Sequence, residues 1–314
     1  MSPGIRSALL ASLLLAVPAW AGVAVVTNEG SGSLTLIDSA TDAVVGEIAV
    51  GGKPRGIAVS QERRVAYVSD QKSSDLVVVD VDARVVRRRI PLGESPEGVY
   101  LSPDGRWAAA AIEKTNTVIF VDAVREEVAF KVKIRGENPE HGVFSPDGKV
   151  LYVGAEEGNT VDVIDIAAQA VVATIPVGNR PRGIAFTPDG SRAYVACELS
   201  GVVQVVDARR HESLGAIAVG VRPAGVLVDP EGKRVYVSTG GDSRVNVIDV
   251  VTGAVQARIE VGKRPWNMAI AGDGRKLYVA NGRSNTVTVI DLQRDAALRD
   301  VPVGELPWGV AVLR

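Results

Sequence analysis

The sequence has very little cysteine, histidine or aromatic residue. Of its 314 residues one is Cys and two are His, and Phe, Trp and Tyr together make up 4%. The single cysteine, Cys197, cannot form an intramolecular disulfide, and the absence of a C-x-x-C-H motif excludes covalently attached haem. Cys197 lies in a Val/Ala-rich stretch, which predicts a small buried side chain.

An excess of charge of one sign is also missing. The formal net charge is −2, so no overall basic field points to bulk nucleic acid or anionic lipid. The motifs G-x-S-x-G, H-E-x-x-H and the phosphate loop are absent, which excludes the common signatures of serine hydrolases, zinc proteases and nucleotide-binding proteins. Valine and glycine are abundant instead, and this composition predicts an all-β protein with many turns.

The N-terminus has the pattern of a secretory signal peptide. Arg6 precedes an apolar stretch from Ala8 to Val17, and Ala19-Trp20-Ala21 forms a small-x-small cleavage site. The apolar run is too short to span a bilayer. We therefore expect cleavage after Ala21, a mature chain of residues 22–314, and a periplasmic or secreted location without a membrane span.

The mature sequence is a sevenfold repeat. The phrase "KPRGI" recurs with its proline at steps of 42 or 43 residues, at Pro54, Pro96, Pro139, Pro181, Pro223, Pro265 and Pro307. We number the units 1 to 7 by these prolines. An aspartate column keeps the same period, at Asp38, Asp80, Asp122, Asp165, Asp207, Asp249 and Asp291. A fixed period of this length is typical of solenoids and propellers.

Each unit predicts four short antiparallel strands. In unit 4, "GIAFT", "RAYVA", "VVQVVD" and "GAIAV" alternate with turn residues, and Asp207 is placed to accept hydrogen bonds from turn backbone. A sheet of this size buries its faces only by stacking on neighbours, so seven units predict a seven-bladed β-propeller. The C-terminal strand "WGVAVL" should pair with the N-terminal "VAVVT" and close the ring.

The strand motifs carry a family resemblance. "AYVSD", "LYVGA", "AYVAC", "VYVST" and "LYVAN", each followed by a V-x-V-I-D-like strand, resemble the YVTN-repeat β-propeller family over essentially all of residues 22–314. The resemblance implies a secreted or periplasmic seven-bladed propeller. Its members are similar to lactonase-like propellers and to propellers associated with quinoprotein (PQQ-dependent) oxidation systems, and the resemblance implies association with a partner of that kind.

The residue after each repeated proline should ring one mouth of the channel. This column is the first candidate site, and it reads Arg55, Glu97, Glu140, Arg182, Ala224, Trp266 and Trp308. Two indoles on adjacent blades would face a charged arc, an arrangement that suits a planar amphipathic ligand. The alternative interpretation is that the indoles cap the core and the charges are solvated.

The next column contains one of the two histidines. It reads Gly56, Gly98, His141, Gly183, Gly225, Asn267 and Gly309. Gly, Asn and His are all favoured at positive φ, which predicts an unusual backbone here and a merely tolerated His141. The functional alternative is that His141 and Asn267, nearly opposite in the ring, bind one ligand together. His141→Gly would then keep or raise stability while weakening binding.

Three functions remain open at this stage. The favoured one is a non-enzymatic scaffold that binds a small molecule or a periplasmic protein through the face bearing Trp266, Trp308 and His141. The second is a lactonase- or lyase-like enzyme in which His141 works with Glu97, Glu140 or Glu113. The third is single-stranded nucleic-acid binding by the indoles and Arg55, Arg182 and Arg264, which the neighbouring glutamates disfavour. No cofactor is predicted. No metal site is predicted either, because the two histidines, His141 and His211, should lie on opposite faces of the propeller.

Overall fold

A computed structural model describes residues 22–314 of the chain. The predicted signal peptide, residues 1–21, lies outside the described residues. The 28 strands, β1 to β28 in chain order, are Val23–Asn28, Ser33–Asp38, Val44–Ala49, Pro54–Ser60, Val65–Asp70, Asp75–Asp80, Val85–Pro91, Pro96–Leu101, Trp107–Ile112, Thr117–Asp122, Glu127–Lys133, Pro139–Phe144, Val150–Ala155, Thr160–Asp165, Ala170–Pro176, Pro181–Phe186, Arg192–Cys197, Val202–Asp207, Glu212–Ala218, Pro223–Val228, Arg234–Thr239, Arg244–Asp249, Val255–Glu260, Pro265–Ile270, Lys276–Asn281, Thr286–Asp291, Ala296–Pro302 and Pro307–Leu313.

The strands form seven four-stranded antiparallel sheets, which confirms the predicted seven-bladed β-propeller. Blades 1 to 6 take four consecutive strands each, from β4–β7 to β24–β27, and blade 7 has the order β28-β1-β2-β3. The one short helix of residues 22–314 is a 3₁₀ turn, Glu113–Thr115, in blade 2. No helix in this part of the chain has the length and hydropathy of a membrane-spanning segment.

Ring closure follows the predicted strand pairing. In blade 7, Val23 lies opposite Leu313 and Val26 opposite Val310, so the two ends of the described chain share one sheet. This pairing gives β1 and β28 the hydrogen-bonding partners that they would otherwise lack at a sheet edge.

The core lies between neighbouring blades, where the repeated valines, alanines and tyrosines interdigitate. The second-strand tyrosines are fully buried, at Tyr67, Tyr152, Tyr194, Tyr236 and Tyr278. Cys197 is also fully buried, as predicted, and burial raises the pKa of its thiol to about 11, which keeps it protonated at neutral pH.

Turns at the two ends of each blade give the propeller two different faces. We call the face with the fourth-to-first and second-to-third connections the loop face, and the face with the first-to-second and third-to-fourth connections the turn face. On the turn face, the repeated aspartates accept hydrogen bonds from turn backbone. Asp207, for example, accepts from the Arg209 amide at 2.9 Å and the Arg210 amide at 3.0 Å.

Candidate functional site

Aromatic side chains close the channel at the loop face. The Trp308 indole stacks on the His141 imidazole, with ring centroids 5.4 Å apart, and on the Trp266 indole at 6.4 Å. The Tyr100 hydroxyl lies 2.8 Å from His141 Nδ1. His141 belongs to blade 3 and Trp308 to blade 7, so these side chains meet across the channel. We call Tyr100, His141, Trp266 and Trp308 the aromatic plug.

The plug leaves little indole surface free for a ligand. Trp308 is only 4% exposed and His141 only 3%. The Arg264 guanidinium lies 4.2 Å from the centroid of the Trp266 ring, and a Cβ atom added to Gly282 would come within 2.7 Å of the same indole. A ligand that stacks on Trp308 would therefore first have to displace protein groups, whereas Trp266 is only partly buried.

The structure pairs His141 with a residue other than the one expected. Its stacking partner across the channel is Trp308, whereas Asn267 donates a hydrogen bond to the Trp308 carbonyl at 3.3 Å. Trp308 and Asn267 thus lie side by side on adjacent blades. The predicted joint binding of one ligand by His141 and Asn267 remains a prediction.

The prediction of positive φ in the His141 column is wrong. His141 and Asn267 are absent from the residues with positive φ, and they lie in strands β12 and β24. Positive φ occurs at turn positions instead, for example at 52° in Asn159, 59° in Arg180 and 58° in His211. The second histidine, His211, therefore has the positive φ that was expected of His141.

Glycine is common in the His141 column because neighbouring inner strands approach closely. A Cβ atom on Gly56 would lie 2.5 Å from the Glu97 carbonyl, and one on Gly183 would lie 2.5 Å from the Ala224 carbonyl. The first strands converge on the channel, so the space between their backbones is smallest here. Steric crowding, and not a φ requirement, accounts for these glycines.

The charged residues of the first column are paired with one another. On one side of the channel, Arg55 binds Glu97 at 2.6 Å and Glu29 at 3.2 Å. Glu97 also accepts a hydrogen bond from the Gln71 amide at 2.6 Å. Burial raises the pKa of Glu97, and the Arg55 charge opposes this rise.

A second cluster surrounds Arg182. Its guanidinium forms ion pairs with Glu140, Glu156 and, at 2.8 Å, Glu198. Glu198 binds Arg264 at 2.9 Å as well, which connects this cluster to the plug through Trp266. We call Arg182 and its three carboxylates the Arg182 cluster. All four side chains are buried, so each charge depends on the others for solvation.

Burial controls the protonation states in these clusters. It raises the pKa of Glu156 to about 7; Arg180 opposes this rise, and the neighbouring Glu198 and Glu113 add to it. Burial also lowers the pKa of His141 to about 4, with a smaller contribution from the Arg55 charge. His141 is therefore neutral at pH 7, and no carboxylate of residues 22–314 is hydrogen-bonded to it. The predicted acid–base pairing of His141 with Glu97, Glu140 or Glu113 is not formed in this structure.

Two cavities adjoin these groups. A polar pocket of about 560 Å³, here the rim pocket, opens on the loop face over blades 2 to 4 and is lined by Glu113, Asn138, Glu156, Glu157, Asn159, Asn179, Arg180 and Leu199. An apolar cavity of about 290 Å³ lies in the channel beside Tyr100, between inner strands. Within residues 22–314, no group of His, Cys, Asp and Glu side chains is arranged to hold a metal ion.

Sequence reasoning missed Tyr100 and the amide groups of the rim pocket. Tyr100 could have been found, because its column otherwise contains small or aliphatic residues, namely Ala58, Val143, Ala185, Leu227, Ala269 and Ala311. Asn138 and Asn179 lie in connections of variable sequence. They gave no signal of this kind.

Comparison with known proteins supports the propeller fold. The sequence profile of the family described as "Lactonase, 7-bladed beta-propeller" matches residues 167–303, which is less than half of the chain. No protein of curated function matches the sequence.

Solved structures are similar over most of the chain. A chain of Kuenenia stuttgartiensis hydrazine synthase is 27% identical with a TM-score of 0.76, over 85% of this chain and 91% of that one. A functionally unknown protein from Desulfotomaculum acetoxidans DSM 771 is 18% identical with a TM-score of 0.82, over 93% and 99%. The dihydro-heme d1 dehydrogenase NirN, in complex with DHE, is 16% identical with a TM-score of 0.69, over 92% and 74%. The last two likenesses concern the fold alone.

Proposed function

We propose that the chain is a non-enzymatic scaffold that binds a ligand or protein partner on the loop face, at the rim pocket. One observation carries this proposal. The groups suited to catalysis or stacking already bind one another in the plug and the ion-pair clusters, whereas the rim pocket adjoins the Arg182 cluster at Glu156 and presents the exposed side chains of Glu157 and Asn179 around open space. Polar groups that converge on an open cavity are the usual feature of a binding site.

A screen on residues 22–314 tests this function. Thermal unfolding would be followed in the presence of small polyols, amines, amino acids and lactones, and compounds that raise the midpoint would be titrated by calorimetry. Glu157→Ala, in the pocket, should weaken the binding of any such compound. Glu62→Ala, an exposed glutamate on the turn face, is the matched control and should leave it unchanged. Equal affinities in the two variants would contradict the choice of pocket.

A lactonase-like enzyme is the second candidate, and the family profile over residues 167–303 favours it. The buried, neutral His141 and the paired glutamates speak against it. Incubation with γ- and δ-lactones at constant pH would detect hydrolysis as acid release. Hydrolysis that disappears in His141→Ala would replace the scaffold with this enzyme. Nucleic-acid binding has less support, because Arg55, Arg182 and Arg264 are engaged with glutamates.

The location and partner that we propose follow from the sequence. Export and cleavage after Ala21 are supported by Arg6, by the apolar stretch that follows it, and by the small-x-small site Ala19-Trp20-Ala21. The YVTN-like motifs support a partner in a quinoprotein oxidation system. N-terminal sequencing of the folded protein from its native fraction tests the first point, with Gly22 as the expected first residue. An intact Met1 would contradict it.

A further inference from the structure

Long cationic side chains join adjacent blades on the turn face in three successive places. Each is the first residue of a second strand and reaches the third-to-fourth turn of the next blade. Arg192 donates to the Val250 carbonyl at 2.9 Å, and Arg234 donates to the Leu292 carbonyl at 2.7 Å and pairs with Asp295. Lys276 binds Asp42 at 2.8 Å. Three of the seven blade boundaries therefore share this contact, and the pockets left beside Arg192 and Arg234 have volumes of about 450 and 330 Å³.

The space between blades 3 and 4 is filled differently. Val150 occupies the position of Arg192, Arg234 and Lys276, and its short side chain lacks a donor. His211 stands where the other turns have Asp295 and Asp42, and its Nδ1 lies 2.6 Å from the Tyr152 hydroxyl. A cleft of about 690 Å³ remains here, which we call the turn-face cleft.

The turn-face cleft combines an apolar floor with charges of both signs. Phe186, Val150, Pro146 and Pro188 supply the apolar surface, and Phe186 packs edge-on against Tyr152 at a centroid distance of 4.7 Å. Phe186 is only partly buried, so part of its ring surface is available in the cleft. A ring or other flat apolar group would fit against this floor.

Hydrogen-bonding capacity remains on both the acidic and the basic groups. Asp165 accepts from the Ala168 amide and Asp189 from Thr187 and Ser191, in each case through Oδ1, so that Oδ2 is left as an acceptor. The Arg209 side chain lines the cleft and interacts electrostatically with Asp189, but it makes no hydrogen bond or salt bridge within residues 22–314. The cleft can therefore bind an anionic and a cationic group together.

We propose that the turn-face cleft binds a small aromatic zwitterion of the α-amino-acid type. The ring lies against Phe186, the carboxylate accepts hydrogen bonds from Arg209, and the ammonium donates to Asp165 or Asp189. This site lies on the opposite face from the rim pocket, so its test is independent of the proposed scaffold function.

Calorimetric titration of residues 22–314 with three probes tests the ligand class. L-phenylalanine carries both charges, phenylacetate lacks the ammonium, and phenethylamine lacks the carboxylate. We expect L-phenylalanine to bind, and each analogue to bind about tenfold more weakly, because it loses one charge-assisted hydrogen bond. Equal binding of all three, or no binding of L-phenylalanine at about its solubility limit, would overturn the proposal.

Two arginines of the same turn test the carboxylate contact. Arg209 and Arg210 are adjacent and exposed, but only Arg209 lines the cleft. Arg209→Ala should weaken L-phenylalanine binding about tenfold. Arg210→Ala removes the same charge and should have little effect. Similar losses in both variants would show a general charge effect and exclude the assigned contact.

A double substitution tests the location. Val150→Arg with His211→Asp transplants the Arg234 and Asp295 pair into the turn-face cleft and should narrow it, since the space beside Arg234 is only about 330 Å³. The double variant should fold and lose L-phenylalanine binding. A folded double variant with unchanged affinity would place the site elsewhere. If the double variant does not fold, the surface pair Arg209→Ala and Arg210→Ala decides the question alone.

Discussion

The two histidines show how differently the two faces of the propeller are built. On the loop face, His141 lies in an extended strand, is 3% exposed, and contacts Trp308 from the far side of the ring. On the turn face, His211 lies in a turn with φ of 58° and contacts Tyr152 of the adjacent blade. His141 is an exception in a column of mostly glycine, whereas the column of His211 is variable, and the two side chains reach different partners.

The difference follows from the shape of the ring. First strands converge on the axis, so long side chains at their loop-face ends meet residues from distant blades. Turn-face side chains lie farther out, where each interblade space is separate from the next. A substitution on the loop face should therefore disturb several blades, whereas one on the turn face should act at a single boundary.

The largest effect should come from opening the ring, on which both faces depend. Deletion of residues 303–314 removes β28 and leaves β1 as an unpaired edge. The loss of a strand and of its buried side chains should cost several kcal/mol, on the order of a large core deletion. Chemical denaturation of the truncated and full-length proteins measures this loss. An unchanged midpoint would show that β28 does not close the ring.

Replacing matched arginines on the two faces should sharpen the comparison. Arg182→Met leaves three buried carboxylates without their shared cation and should cost about 3–5 kcal/mol of unfolding free energy. Arg234→Met removes a partly exposed pair at one blade boundary and should cost about 1 kcal/mol. Denaturant titration of both variants tests this order, and equal losses would contradict it.

Replacing each histidine by glycine should separate the two backbones. His141→Gly removes a stacked ring from the plug and leaves the Tyr100 hydroxyl without its partner, so we expect a loss of about 2–3 kcal/mol. This reverses the expectation from the repeat, in which glycine is the commonest residue of the column. His211→Gly should cost less, because Gly253 has the same turn position and φ of 71°. The reverse order of stabilities would contradict this interpretation.

The smallest expected effect is a change of pH dependence. Because burial raises the pKa of Glu156 in the folded protein from its ordinary value of 4.5 to about 7, the folded protein binds more protons than the unfolded protein between these values. Wild-type stability should therefore fall as pH rises from about 5 to about 7, relative to Glu156→Gln, by on the order of 1–2 kcal/mol. Glu62→Gln on the turn face is the control. Parallel stability curves for the wild type and Glu156→Gln would contradict the raised pKa.

Repetition explains why the fold could be predicted and much of the site could not. Seven copies of the same strand pattern report the same packing seven times, and the strand "WGVAVL" was a recognisable partner for "VAVVT". His141 lies in unit 3 and Trp308 in unit 7, and the two side chains meet across the channel. A repeated pattern predicts the contacts that recur in every unit, so it does not predict this one. The glycines around His141 were also ambiguous, because crowding and positive φ both favour glycine, and only coordinates distinguish them.

The antiparallel pairing of β1 with β28 has a mechanical consequence. Val23 lies opposite Leu313, so the chain enters and leaves the propeller at one corner of blade 7. A force that pulls these two ends apart would load the hydrogen bonds between the strands one pair at a time, beginning with Val23 and Leu313, instead of shearing all of them together. The propeller should therefore unzip at low force from its ends.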